Sequence, residues 1–382
     1  MGVALLSLPN EVLIVIIEHA DSACKKTFLD LRLVSKTLEQ LCHERFLRYL
    51  ELLRIDPSQH HNLTRLMEIL SSPAHARAVR GVAFDFVRDW RNVWAVTPLV
   101  QQLFDKLSSL NVNLELKFSP YGSNEWISEP CIVHYIVGIV KQVLTSHMSV
   151  GRLIVRAKDW DPDLQLDNML CRLEKLLIDQ EKEAQASSVK SLVVEFTHGE
   201  VVYDRQRRYL HFTQVTAHDL HAIGQWIQEN YPVELVLTGC QFFVEQLDGV
   251  LLRTAPSSPL SRITINNARL MHLTSFFGGS QATTPLHKLL SHILRHSKNL
   301  NYLHLENIRV ETPHPRTLNF VGENRVHVTD EVNIRETLTH LMSQLAEEDH
   351  PEVESEDVED DEEDDEDGSA WGYSTIAHDS YE

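Results

Sequence analysis

The chain has 382 residues, 43% hydrophobic and 24% charged, an ordinary globular composition with material for two or three domains. Its formal charge of −20 is confined to one end: residues 347–382 carry 18 acids and no Lys or Arg, leaving 37 acids against 35 bases elsewhere. A body so nearly neutral argues against the basic surface that a nucleic-acid binder needs.

Five cysteines, Cys24, Cys42, Cys131, Cys171 and Cys240, are odd in number, far apart and without a CxxC pair. They read as free, mostly buried thiols in a reducing compartment, which places the chain inside the cell, in cytoplasm or nucleus.

The first element is LPNEVLIVIIEHA, residues 8–20, with six aliphatic residues in a row from Val12 to Ile17. That run is too short for a membrane span of about 20 residues. It also lacks the basic flank and cleavage site of a signal peptide. Pro9 suits the start of a helix and Glu11 its first turn, so a helix is expected from Pro9 to about His19, with a break at Asp21 and Ser22. The next stretch, FLDLRLVSKTLEQLCHERFLRYL, has the spacing of a short helix, a turn near Ser35 and a longer helix. Ser35 is placed to cap the longer one, with Leu38 and Leu41 on its inner face. A unit of about 45 residues is too small to enclose the whole aliphatic collar. Either a partner covers its outer side or the rest of the chain does.

These same residues resemble an F-box. Leu8, Pro9, Glu11, Val12, Leu13, Ile16, Phe28, Leu31, Arg32, Leu33, Val34, Ser35 and Lys36 match the family pattern, in which LP-x-E and aliphatics precede a leucine-rich R-L-V-S-K stretch. Ala20 and Leu38 depart from it, standing where a leucine and an aromatic are common. The resemblance covers about 40 residues. It implies docking on the Skp-family adaptor of a cullin–RING ubiquitin ligase through Leu8, Pro9, Val12, Leu13, Ile16, Ile17, Phe28, Leu31, Leu33, Val34 and Leu38.

Beyond residue 54 strand-like and helix-like segments alternate. Strand spacings recur at Val79/Val82/Phe84, Val150/Leu153/Val155, Val189/Leu192/Val194, Leu260/Ile263/Ile265 and Leu300/Leu303/Leu305, with weaker copies at Leu114/Leu116 and Leu235/Leu237. Helical patterns lie between them, at Val100–Leu107, Ile132–Val140, Leu166–Leu177 and Leu286–Leu294. The fold class expected is α/β: a three-helix N-terminal F-box over residues 1–54, then an irregular leucine-rich-repeat-like solenoid over 55–345. A doubly wound sheet is the alternative. On a solenoid the polar residues between the apolar strand positions would line an extended binding face. These are Asp85, Arg156, Glu195, Thr264, Asn266, His304 and Glu306.

Enzyme motifs fail. The pairs His218/His221 and His292/His296 lack the Glu of H-E-x-x-H and an evident third ligand. Gly278–Ser280 has no phosphate-loop context, and no G-x-S-x-G occurs. No catalytic residue, metal or cofactor is expected. Residues 346–382 form an acidic tail, expected to be disordered, that ends with Trp371, Tyr373 and Tyr381. It is either a solubilising segment or a lure for basic partners, and its aromatics suit a docking motif or a fold-back. The expectation for the whole is a non-catalytic adaptor presenting a protein target for ubiquitination, with no nucleic-acid or membrane partner. The competing expectation is a scaffold whose F-box-like helices pack only on its own repeats.

Overall fold

The computed structural model describes residues 5–56, 60–86, 93–110, 113–120, 129–157, 166–184, 189–230, 232–246, 260–271, 285–296, 299–310, 316–317, 325–329 and 331–348. Three helices lead: α1 (Asn10–Ala23), α2 (Lys25–Arg32) and α3 (Lys36–Glu51). A run of alternating elements follows: β1 (Leu52–Ile55), α4 (His60–Ile69), α5 (Pro73–Ala78), β2 (Gly81–Phe86), α6 (Val93–Ser108), β3 (Asn113–Pro120), α7 (Glu129–Thr145), β4 (Ser149–Arg156), α8 (Leu166–Ala184) and β5 (Val189–Glu195). A hairpin, β6 (Glu200–Asp204) and β7 (Tyr209–Thr213), interrupts the alternation. Next come α9 (Ala217–His221), α10 (Gly224–Asn230), β8 (Glu234–Thr238), β9 (Gln241–Phe243), α11 (Val244–Gln246), β10 (Arg262–Asn266) and β11 (Arg269–Met271). The chain closes on α12 (Pro285–His296), β12 (Tyr302–Glu306), β13 (Arg309–Val310), β14 (Arg316–Thr317), β15 (Arg325–Val328) and α13 (Glu331–Glu348).

The molecule is mixed α/β around one mostly parallel sheet of eleven strands, ordered β1-β2-β3-β4-β5-β6-β7-β8-β10-β12-β15. Among the described residues of this sheet only the pairs β5/β6, β6/β7 and β12/β15 are antiparallel. Strand order follows chain order throughout. No reversal marks a switch point of the kind found in doubly wound sheets.

Register explains why the two-spaced apolar pairs recur. Val82, Leu116, Leu153, Leu192, Tyr203, Leu210, Leu235, Ile263 and Leu303 sit side by side on successive strands. Phe84, Phe118, Val155, Val194, Val201, Phe212, Leu237, Ile265 and Leu305 make a second row two residues on. Both rows are buried. Helices cover this face: Phe104 of α6 lies 6.3 Å from Phe84, and Trp226 of α10 meets Tyr203 edge-on at 5.9 Å. Each enclosed side chain of this size contributes about 1.5–3 kcal/mol relative to exposure. On this face Arg205, beyond β6, reaches α8 and pairs with Glu174 at 2.9 Å and with Glu181.

A second motif repeats where the later strands turn. Gln214, Gly239, Asn267 and Asn307 all adopt positive φ, each one residue past the end of β7, β8, β10 or β12. The Gln214 N–H donates to Thr238 O, Gly239 N–H to Asn266 O and Asn267 N–H to Glu306 O, at 2.8–3.0 Å. After each of the last three turns comes a buried Cys240, Ala268 or Ile308. Then β9, β11 and β13 pair in parallel, with β14 at the edge, as a four-stranded sheet.

Two expectations about local structure change. The first helix does not break at Asp21 and Ser22 but continues to Ala23. The reason is that Asp21 accepts hydrogen bonds from Arg45 and Tyr49 of α3, so it stabilises the helix where an isolated Asp would favour an exit. Pro9 caps that helix from outside rather than opening it. Strand β1 and the hairpin β6–β7 had no expected counterpart, and β1 crosses the boundary expected after residue 54. Residues 346–348, expected to begin a disordered tail, extend α13 instead. Residues 349–382 with Trp371, Tyr373 and Tyr381, and the Gly278–Ser280 loop, lie outside the described residues, and nothing is described of the Cys131 side chain.

Candidate functional site

The first candidate surface is built by α1–α3. Leu13, Ile17 and Ala20 recur at helical spacing and face inward, and Leu13 and Ile17 join the core that holds Phe28, Leu38, Cys42 and Phe46. The collar is thereby split. Leu13 and Ile17 are each 1% exposed, whereas Val12 is 42% and Val15 62% exposed on the outer side. Ser35 caps α3, accepting from the Leu38 N–H at 3.2 Å. The turn before that cap ejects Leu33 and Val34, 75% and 59% exposed. Arg45 clamps α3 to the end of α1 through Glu18 at 2.6 Å and Asp21 at 3.2 Å, and Phe28 packs 5.4 Å from Tyr49. The hydrogen bond to Asp21 raises the Tyr49 phenol above its ordinary pKa.

The eleven residues expected at a partner surface therefore divide. Pro9, Val12, Leu33 and Val34 are exposed; Leu8, Ile16 and Leu31 are half-buried. Leu13, Ile17, Phe28 and Leu38 are enclosed by this chain and support the surface from behind. Val15, which the sequence reading left out, joins the exposed group. Helical phase alone carries that signal, because Val15 lies three residues after Val12.

The second surface is the sheet face opposite the two apolar rows. Its middle row runs Arg54, Ala83, Lys117, Ile154, Val193, Val202, His211, Val236, Thr264, His304, His327. A flanking row runs Asp85, Ser119 on β2 and β3, then Arg156, Glu195, Glu200, Thr213, Thr238, Asn266, Glu306, Arg325 from β4 to β15. All seven residues expected on a binding face lie on it. The structure gathers them in two groups.

Near the first edge, Glu195 takes Lys117 at 2.8 Å and Arg156 at 3.0 Å, while Asp85 faces Arg54 at 3.9 Å. Burial raises the Glu195 carboxyl, but the hydrogen bonds and charges of Lys117 and Arg156 outweigh it and leave the pKa lowered. For Asp85 burial wins over Arg54 and Arg156, and its pKa is raised. Toward the other edge, Arg262 pairs with Glu234 at 3.4 Å and lies 4.2 Å from the Tyr302 ring centroid. His304 Nε2 stands 3.1 Å from Glu306, and the His304 and Tyr302 rings meet His327 at 5.6 and 5.3 Å. His304 Nδ1 and Asn266 Oδ1 are buried without hydrogen-bond partners. Between the groups, His211 contacts Thr238 at 3.3 Å, and burial lowers its pKa against the pull of Glu200.

Sequence reasoning missed Arg54, Lys117, His211, Arg262, Tyr302 and His327 on this face. All but Arg54, His211 and His327 follow the period-two alternation around apolar pairs that the same strands already displayed. Among the described residues no three His, Cys, Asp or Glu converge in metal-ligating geometry. His218 and His221 are exposed ends of the short α9. Among the described residues no helix is long and apolar enough to cross a membrane. No protein-family sequence model matches the chain, and no curated protein matches it.

Proposed function

We propose that this chain is the target-recruiting adaptor of a Skp–cullin–F-box ubiquitin ligase, its first 54 residues an F-box and the rest an irregular leucine-rich-repeat-like solenoid. One observation carries the reading: the aliphatic collar is split, with Leu13 and Ile17 enclosed by the chain's own core and Val12, Ile14 and Val15 exposed, and Leu33 and Val34 are exposed at the turn before α3. That much bare aliphatic surface on one small helical unit is costly in water unless something covers it. The solenoid reading is supported by strand order that follows chain order and by the stacked corners at Gln214, Gly239, Asn267 and Asn307. The polar sheet face, with its two charge groups, is then the surface for a protein target. The chain works without chemistry of its own, in cytoplasm or nucleus, raising the effective concentration of target beside the conjugating enzyme.

Purified full-length chain mixed with a purified Skp-family adaptor tests this by calorimetry or pulldown. Replacing Val12, Val15, Leu33 and Val34 together by Asp is expected to abolish binding while leaving the thermal midpoint within a few degrees, since all four side chains are exposed. Leu13→Asp is the wrong probe, because it places a charge in the core. If the wild-type chain does not bind, the scaffold reading stands instead; it draws support from the contacts of α3 with α5 and β1.

A further inference from the structure

A groove of about 670 Å³ runs between α2, α3 and α4. Its apolar lining is Leu29, Leu33, Phe46 and Ile69. Its walls carry four cations, Lys25, Lys26, Arg32 and Arg65, against two acids, Asp30 and Glu68. Elsewhere Arg45, Arg152, Arg156, Arg205 and Lys117 each hold a carboxylate. The four groove cations form no ion pair with any described residue. Two of them use ring faces instead: Lys25 lies 4.7 Å from the Tyr49 centroid and Arg32 3.6 Å from that of Phe46. The buried Arg32 Nε–H has no acceptor. A cationic, half-apolar cleft with an orphan donor calls for an occupant that carries carboxylates and an aromatic ring together.

We infer that the occupant is this chain's own carboxy-terminal segment, residues 349–382. That segment contains acids without a single Lys or Arg, and it ends in Trp371, Tyr373 and Tyr381. Its polarity complements the walls and its rings complement the apolar lining. Reach is sufficient. Helix α13 packs on β12 and β15, at the opposite edge of the sheet from β1, next to which α4 lies. Ten strand spacings separate those edges, roughly 48 Å. From residue 349 to Trp371 an extended chain spans at most ~80 Å, and like charges favour extension. Leu33 belongs both to the groove and to the exposed aliphatic group, so an occupied groove covers part of that group.

The test uses the full-length chain, as an equal mixture of isotopically light and heavy copies, treated with a zero-length carbodiimide and read by mass spectrometry. The expected result is amide cross-links from Lys25 and Lys26 to acids of 349–367 within one copy. Their yield should fall roughly tenfold between about 0.02 M and about 0.5 M salt. Arg65→Glu and Trp371→Ala, which remove neither lysine, should each lower the yield several-fold at an unchanged thermal midpoint. Tail cross-links spread equally over Lys36, Lys182 and Lys190, links only between copies, or yields indifferent to Arg65→Glu and to salt would each overturn the inference.

Discussion

Cys24 sits between α1 and α2 in extended conformation, exposed, with its sulfur at the start of a helix. The Thr27 N–H, then the Thr27 hydroxyl and the Lys26 N–H, favour the thiolate and lower its pKa. Burial works the other way on Cys171 and Cys240, pushed up to about 12 and about 11, and also raises Cys42. Alkylation with iodoacetamide at neutral pH is therefore expected to label Cys24 well before these three, as peptide mapping of partial reactions would read. Glu195 offers a second check at this scale. Its folded pKa is lowered, so its contribution to stability is present above the unfolded carboxylate pKa and disappears as pH falls through the folded value. Glu195→Gln should unfold at a lower temperature than wild type at pH 7, and the two melting curves should converge in acid below the usual carboxylate range. A constant offset at every pH would mean that packing, not charge, is responsible.

Whole elements obey different constraints. The corners after β7, β8, β10 and β12 need left-handed backbone, which Gly adopts freely and Asn at small cost. At position 267, Val is expected to cost about 1–2 kcal/mol, whereas Gly should be neutral or slightly stabilising. Chemical denaturation of both variants measures the difference; equal loss in both would shift the explanation to the Asn307–Asn267 side-chain hydrogen bond of 3.1 Å. The leading helices follow a similar logic. Helix α1 outruns its expected end because Arg45, 24 residues beyond Asp21, supplies a partner for its last turn. Ser35, by contrast, needs only its own turn to cap α3, and that cap was legible in the sequence.

Across the molecule, sequential strand order means that most contacts join neighbours in the chain, with the core continuous from α1 to α13. Stability should then grade along the sheet. Hydrogen exchange is expected to protect amides of β3, β4 and β5, each paired on both sides, far longer than those of the edge strands β1 and β15. Uniform protection across the eleven strands would indicate one all-or-none unit.

Much of this architecture was readable because a strand's period of two and a helix's of 3.6 are local properties, written wherever a face must be apolar. The pairs Leu153/Val155, Leu192/Val194, Ile263/Ile265 and Leu303/Leu305 announced their strands, and the residues between them, Thr264 and His304 among them, the opposite face of the sheet. The hairpin β6–β7 escaped because it came with no helix and no leucine spacing, only alternation in short runs. What folding alone decided is which groups meet: Lys117 with Glu195, 78 residues on, Tyr302 with His327, and which half of the collar from Val12 to Ile17 stays bare. Those outcomes depend on distances between segments far apart in the chain. Local spacing sets each segment's faces, and packing selects the faces that remain in water.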